Sequence, residues 1–308
     1  MKLGLMTDSL GHLPLPELAR TCRQLGIEQL EFGCGNWSRA PHLDLDALLD
    51  SQIRREELTG TLAEQGLTIS ALNCSGNPLH PGEAGERDRA VAEKTLRLSE
   101  LLGLTTVVMM SGLPGGGPDD CCPNWVVTSW PPETAEMLDY QWRTAVPFWR
   151  ELAQKANGYG VTRLALEPHA CQLVYNVENF YRLRDAAGET IGFNLDPSHL
   201  FWMGGDPLAI ARELDSAIYH VHLKDMKTEP AAALNTMMDG KPIELFRQRS
   251  WNFRIPGDGH DVEWWLAFIQ TLRSVGYDGV LSIEQEDMAL PVMEALQTTC
   301  RRMRDLLN

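Results

Sequence analysis

Eight short apolar runs, each followed by an amphipathic segment, restrict the fold of this chain more than any other feature of its sequence. The runs lack the polar alternation of a half-exposed sheet, which indicates strands that helices cover on both faces. The runs are Leu3–Met6, Gln29–Phe32, Thr68–Asn73, Thr105–Met110, Arg163–Leu166, Ile191–Leu195, Ile218–Leu223 and Val280–Ile283. The helical segments are Leu15–Leu25, Leu45–Gln65, Glu86–Leu102, Pro132–Gly158, Val177–Ala187, Pro207–Leu214, Val262–Val275 and Pro291–Leu307.

This alternation predicts a parallel α/β sheet, and the count of eight favours a closed (β/α)8 TIM barrel over an open sheet. No GxGxxG follows the first strand, so the sequence offers no support for a dinucleotide-binding fold. We expect one domain over residues 1–308. Long connections at 111–131 and 226–260 follow strands four and seven. Because barrels build active sites at the carboxyl ends of their strands, both connections are candidate lids or substrate walls.

Composition restricts the partners and the compartment. The net charge is −15, which would repel a polyanion, so we expect no nucleic-acid partner. Seven cysteines without a CxxC pair indicate a reduced compartment and no structural zinc. The apolar stretches are far shorter than the roughly 20 residues that span a bilayer. The first apolar run stops at Asp8 without a cleavage pattern, so we expect a cytoplasmic protein that does not associate with membranes.

Charged or imidazole side chains lie at the ends of the last four predicted barrel strands. They are Glu167 in "RLALEPH", Asp196 in "FNLDPSH", His222 in "YHVHLKD" and Glu284 in "VLSIEQED". Each alone could be a helix cap or a buried, hydrogen-bonded group. Together at one rim, however, three carboxylates would repel one another unless a cation neutralised them. Three oxygen donors and one imidazole suit a divalent ion such as Mn²⁺ or Mg²⁺, so the pattern predicts a metal site.

The chain resembles the xylose isomerase-like TIM barrels, a family of sugar phosphate isomerases and epimerases. The resemblance covers essentially the whole chain through "LALEPH", "NLDPSHLFW", "HVHLKD", "PGDGHD" and "YDGVLSIEQED". Relatives include ketose 3-epimerases, inosose dehydratases and apurinic-site endonucleases. The resemblance implies that Glu167, Asp196, His222 and Glu284 bind one divalent ion. We expect Mn²⁺, with Mg²⁺, Co²⁺ or Zn²⁺ as alternatives. The resemblance also implies that Glu167 and Glu284 form the acid/base pair.

The activity implied by the resemblance is isomerisation or epimerisation of a keto-sugar or polyol by proton abstraction through a metal-bound enediolate. A lyase on the same site is the alternative, acting by inosose-type dehydration or by elimination from a keto-glycoside. Many epimerases of the family place an arginine six residues past the matched histidine. That position is Thr228 here, so Lys224 or Lys227 would have to substitute. The acidic charge argues against an apurinic-site endonuclease, and a metal-free binding subunit is a further alternative.

Further residues are candidates for substrate binding. They are His199, His169, Lys224, His260, Glu31 and Trp125. Alternatives remain for most of them: a role in orienting a ligand for His199, a helix cap for His260, a salt bridge for Glu31 and simple packing for Trp125. Asp258 lies in the "PGDGHD" turn, where a phosphate-binding loop would present bare glycines, so we expect an unphosphorylated sugar or cyclitol as the substrate. Apolar rim loops lead us to expect a homo-oligomer.

Overall fold

Eight parallel strands close into a barrel in the computed structural model, which describes residues 1–307. The strands within these residues are β1 (Lys2–Met6), β2 (Gln29–Gly33), β3 (Thr68–Asn73), β4 (Thr106–Met110), β5 (Arg163–Glu167), β6 (Ile191–Leu195), β7 (Ile218–Leu223), β8 (Asp225–Thr228), β9 (Trp251–Arg254) and β10 (Val280–Ile283). The barrel order is β1-β10-β7-β6-β5-β4-β3-β2, with helices between the strands. The predicted TIM barrel is therefore confirmed, and each predicted strand agrees to within one residue at either end.

The chain divides into two compact units, which we describe separately. One unit comprises residues 1–31, 59–70 and the chain from 195 onward. In it, β10 pairs with β1 and with β7, where Ser282 lies opposite His222. The other unit comprises residues 32–58 and 71–194. In it, β5 pairs with β4 and with β6. The assignment of one domain to the chain stays a prediction.

The helices follow the predicted amphipathic segments, with one interruption. They are α1 (Leu15–Leu25), α2 (Leu45–Asp50), α3 (Gln52–Ala63), α4 (Glu83–Leu102), α5 (Glu133–Gly158), α6 (Val177–Ala187), α7 (Pro197–Trp202), α8 (Pro207–Leu214), α9 (Ala232–Asn235), α10 (Val262–Ser274) and α11 (Val292–Leu307). The predicted helix 45–65 is two helices, because Ser51 adopts an extended conformation (φ −126°, ψ 113°). The side chain of Arg55 caps the break by donating to the carbonyl oxygen of Leu48 at 2.6 Å.

Four of these elements lie in segments that the periodicity did not assign to helices or strands: α7, α9, β8 and β9. Helix α7 begins directly after β6, with Asp196 as the N-cap and Pro197 as the first helical residue. The connection 226–260 is partly ordered, because β8 and β9 form an antiparallel ribbon with Thr228 opposite Trp251. By contrast, the connection 111–131 contains no helix or strand. All four unpredicted elements are too short for a periodic pattern to reveal.

The core is apolar, and its cysteines form no disulfide bonds. The largest fully buried side chains include Trp149, Trp265 and Phe193. None of the seven cysteines is in a disulfide bond. Burial raises the pKa of the Cys74 thiol to about 12, which keeps it in the unreactive thiol form. Within residues 1–307, no helix combines the length and the apolar character needed to cross a membrane.

Candidate metal centre

The four strand-end residues predicted to bind metal come together in the structure. Glu167, Asp196, His222 and Glu284 each offer one ligand atom, and these atoms all lie within 4.8 Å of one another. The first three side chains are buried, whereas that of Glu284 is 21% exposed. A cluster with three buried members and one partly exposed member could hold a metal ion that a small molecule can reach.

Strand ends and a helix cap orient the acidic side chains. Asp196 uses its two oxygens differently: Oδ1 accepts from the backbone N–H of Ser198 at 2.8 Å, and Oδ2 lies 3.8 Å from Nδ1 of His222. The same Nδ1 atom lies 3.4 Å from Oε2 of Glu284. Glu167 accepts a hydrogen bond from Nδ2 of Asn194 at 3.2 Å. Asp196 therefore combines the capping role and the cluster position that the sequence left as alternatives.

The donor set fits a divalent ion. Three carboxylates and one imidazole are a usual combination for Mn²⁺, Mg²⁺ or Zn²⁺, and the clustered negative charge attracts a cation. The imidazole nitrogen that faces the two carboxylates is Nδ1 of His222. A ligand set of this composition leaves coordination positions for substrate oxygens on an octahedral ion.

Lys224 is buried among the acidic groups. Its Nζ lies 2.5 Å from Oε2 of Glu284, 3.2 Å from Oδ2 of Asp196 and 3.1 Å from Oε2 of Glu286. It also lies 4.6 Å from the ring centre of Phe253, a favourable cation–π position. The ammonium therefore neutralises part of the negative charge of the cluster. Glu286 is not among the predicted site residues. Its spacing of two from Glu284 in "IEQED" nevertheless predicts that both side chains lie on one side of an extended segment.

Glu31 is completely buried, with its carboxylate against two histidines. Nε2 of His220 lies 2.8 Å from Oε2 of Glu31, and Nε2 of His222 lies 3.2 Å from each Glu31 oxygen. The hydroxyl of Ser282 donates to the same Oε2 at 2.7 Å. Burial acts to raise the pKa of Glu31, but the adjacent His222 and His220 outweigh it and hold the pKa well below its usual range. The carboxylate is therefore ionised and accepts hydrogen bonds in the barrel interior. The substrate-binding role of Glu31 stays a prediction.

Asp225 holds the "PGDGHD" turn in place. Its Oδ2 accepts from the backbone N–H groups of Gly257, Gly259 and His260 at 2.9 to 3.2 Å. Its Oδ1 lies 2.8 Å from Nδ1 of His260, and the His260 ring stacks on Phe201 at 3.6 Å. The N-cap of α10 is Asp261 rather than His260. Asp225 thus fixes the conformation of the turn, and the substrate role of His260 stays a prediction.

Replacing Gly259 with alanine is expected to destabilise this turn. A Cβ atom would lie 2.2 Å from the carbonyl oxygen of Met226 and 2.6 Å from Oδ1 of Asp225. We expect the free energy of unfolding to fall by about 3 kcal/mol. The matched control is Gly240→Ala in the same connection, because no atom lies within 4 Å of its added Cβ. Urea denaturation of both variants measures the difference, and equal stabilities would contradict the close packing.

Three other predicted substrate-binding residues have defined neighbours. Nε2 of His199 lies 3.7 Å from Oδ2 of Asp196, so this histidine adjoins the cluster. His169 packs edge-on against Trp37, with ring centres 5.5 Å apart. Trp125 packs edge-on against Tyr175 at 5.6 Å. These contacts are compatible with substrate binding by all three residues, which stays a prediction.

Sequence comparison identifies relatives over the whole chain and over part of it. The family model for the xylose isomerase-like TIM barrel matches residues 19–306. An uncharacterised protein of Bacillus subtilis strain 168, YfiH, is 46% identical over 312 residues, which covers 100% of both chains. An inosose dehydratase of Clostridium perfringens is 29% identical over 145 residues, which covers 45% of this chain and 47% of that enzyme. This second match therefore spans less than half of that enzyme's length.

Solved structures resemble the fold at low sequence identity. The IolI protein, solved with a bound zinc atom, has a TM-score of 0.69 and 20% identity over 100% of this chain and 98% of that chain. D-Psicose 3-epimerase from Clostridium cellulolyticum H10, solved with D-tagatose, has a TM-score of 0.65 and 15% identity over 100% of both chains. At these identities the likeness concerns the fold alone.

Proposed function

The chain belongs to the xylose isomerase-like TIM barrel family, and we propose that it is a divalent-metal-dependent isomerase or epimerase of an unphosphorylated keto-sugar or cyclitol. One observation carries the proposal: the ligand atoms of Glu167, Asp196, His222 and Glu284 all lie within 4.8 Å of one another. We propose Mn²⁺ as the ion. The zinc atom in the IolI structure supports a divalent ion on this fold.

The side chains of the cluster account for the proposed chemistry. A divalent ion, when bound, acts as a Lewis acid on the substrate carbonyl and makes the neighbouring C–H more acidic. Glu167 and Glu284 are then the bases that exchange the proton on this carbon. Removal by one carboxylate and return by the other inverts the centre, which is epimerisation. General acid–base catalysis of this kind typically contributes about 10²–10⁴-fold in rate.

Lys224 is proposed to bind a substrate oxygen. Its ammonium already lies within hydrogen-bonding distance of Asp196 and Glu284, so a substrate that reaches these carboxylates also meets Nζ. The two carboxylates beside the lysine hold its Nζ at the cluster, where it can donate a hydrogen bond. Phe253 covers one side of the ammonium and limits its contact with water. In this role Lys224 takes the place of the arginine that many epimerases of the family carry at the position of Thr228.

A lyase is the second candidate, and the same buried lysine favours it. In an elimination, a carboxylate removes the proton beside the carbonyl, a carbon–carbon double bond forms, and the β-hydroxyl leaves as water after it gains a proton. Lys224 is a buried donor next to Glu284 and could assist this departure. The partial similarity to inosose dehydratase supports the same reaction class.

Proton NMR in D₂O distinguishes the two candidates. The Mn²⁺-loaded protein is incubated with free ketoses, inososes and 3-keto-glycosides, and the metal is removed before the spectra are recorded. Deuterium incorporation beside the carbonyl together with a new diastereomer supports epimerisation. Loss of water or of the glycosyl group with an enone product supports the lyase. If the loaded protein leaves every C–H of the panel unexchanged, the proposed function is wrong. The Glu167→Gln variant is the matched blank, since it keeps the shape of the side chain but not its basicity.

The assembly and the compartment are also proposals. Leu234 and Met238, in the connection after β7, are 91% and 66% exposed, and apolar side chains at such exposure support a contact with a second copy. We therefore propose a homo-oligomer that acts in the cytoplasm on a small molecule, without a nucleic-acid partner.

A further inference from the structure

We infer that Glu31 is a positioning residue of the candidate metal centre: it holds His222 in the tautomer and orientation that present Nδ1 to the metal ion. This inference rests on the proposed metal-dependent function and extends it to a residue outside the ligand set. Glu31 belongs to β2, whereas His222 belongs to β7, so the link joins strands that are distant along the chain.

The two nitrogens of His222 face opposite partners. Nδ1 lies 3.4 Å from Oε2 of Glu284 and 3.8 Å from Oδ2 of Asp196, on the side of the ligand cluster. Nε2 lies 3.2 Å from both oxygens of Glu31. Since Nε2 faces two acceptor oxygens within hydrogen-bonding distance, the geometry assigns the ring hydrogen to Nε2, which donates it to Glu31. Nδ1 then keeps its lone pair, which is the form of histidine that binds a metal.

The surroundings of Glu31 fix its own position. His220 and Ser282 contact Oε2 at 2.8 and 2.7 Å, and all four side chains of this network are at most 1% exposed. Ser282 also lies opposite His222 in the pairing of β10 with β7. The carboxylate is therefore held by donors from two adjacent strands, and it cannot rotate away from His222 without leaving buried donors unpaired.

This arrangement gives Glu31 a definite effect on the ion. A carboxylate that accepts from the distal N–H of a ligating histidine fixes the ring and increases the basicity of the metal-binding nitrogen. Loss of such a partner typically weakens metal binding by about 10–100-fold. The substrate need not touch Glu31 for this effect, since the residue acts through His222.

The wild-type protein provides the first test. The chain is labelled with ¹⁵N-histidine, stripped of metal and titrated with ¹¹³Cd²⁺ as a diamagnetic probe. We expect ¹¹³Cd–¹⁵N coupling to Nδ1 of His222 and an attached hydrogen on its Nε2. Coupling to Nε2 of His222 would overturn the inference. So would a second equivalent of cadmium coupled to His220, because Glu31, His220 and His222 would then form a metal site of their own.

The second test compares Glu31→Gln with Ser282→Ala. The glutamine keeps the shape but places an amide N–H₂ against the histidines, so we expect the dissociation constant for Mn²⁺, measured by calorimetry, to rise about 10–100-fold. Ser282→Ala removes one donor to Glu31 but leaves the carboxylate against His222 and His220, so we expect a smaller loss of affinity than in Glu31→Gln. Circular dichroism establishes that both variants are folded.

The outcomes separate this inference from the proposed function. Unchanged Mn²⁺ affinity and unchanged His222 nitrogen shifts in folded Glu31→Gln would overturn the positioning role, whatever the turnover. Conversely, a weakened Mn²⁺ site in Glu31→Gln, with no proton exchange by the wild-type protein on any substrate, would uphold the positioning role and refute the proposed reaction.

Discussion

Replacing Glu284 with glutamine is expected to lower the rate of C–H exchange on the true substrate by at least about 10³-fold. The change removes a proposed metal ligand and a proposed base at once, and it leaves Asp196 and His222 facing a neutral amide. We also expect a weaker Mn²⁺ site, since one of three carboxylates is lost. Deuterium incorporation followed by NMR measures the rate, and elemental analysis measures the bound metal.

Glu286→Gln is the matched control. Its carboxylate also contacts Nζ of Lys224, at 3.1 Å, but Glu286 does not belong to the four-residue ligand cluster. Its side chain is 40% exposed, so its ion pair is screened and is worth at most about 1 kcal/mol, or about fivefold in rate. Equal losses of exchange rate in the two variants would show that negative charge near Lys224 matters rather than metal ligation by Glu284. Full activity in Glu284→Gln would refute the assignment of Glu284 as a base.

Replacing Lys224 with methionine has the second large expected effect. The ammonium is 3% exposed and contacts Asp196 and Glu284, so its loss leaves buried carboxylates without their cation. We expect the metal-free protein to lose about 3 kcal/mol in the free energy of unfolding. The lysine also competes with a metal ion for the same oxygens, so the variant should gain more stability on addition of Mn²⁺ than the wild type does.

Thermal unfolding with and without Mn²⁺ measures both effects of Lys224→Met. Lys227→Met is the control, because Lys227 is exposed on β8 and its replacement should change stability by at most about 0.5 kcal/mol. A metal-induced rise in Tm that is no larger in Lys224→Met than in the wild type would contradict competition between the ammonium and the ion for one set of carboxylates.

The barrel and the four-residue cluster were predictable because each rests on a strong local pattern. A strand buried on both faces must be apolar, so a charged residue at its end, such as Asp196 after Ile191–Leu195, is conspicuous. Parallel strands bring their carboxyl ends to one rim, and this geometry alone gathers residues as distant along the chain as Glu167 and Glu284.

The contacts around the cluster were harder to predict, because they depend on side chains that no local sequence pattern distinguishes. His220 shares a strand face with His222 by the period of two, a signal that could have placed it in the barrel interior. Nothing local, however, pairs Glu31 on β2 with histidines on β7. The β8–β9 ribbon was not predicted either. It depends on the pairing of Asp225 with Arg254, which are separated by a long connection.

The neighbouring residues Lys224 and Asp225 connect the candidate metal centre to the turn at 257–260 through a single peptide bond. The lysine contacts the ligand carboxylates, whereas the aspartate accepts hydrogen bonds from the turn at 257–260 and from Trp265. A one-residue deletion in β7 would place the carboxylate of Asp225 among the carboxylates of the cluster. A one-residue insertion would instead place the ammonium of Lys224 among the N–H donors of the turn. We therefore expect variation in the length of this segment to be far more damaging than variation in the connection 229–250.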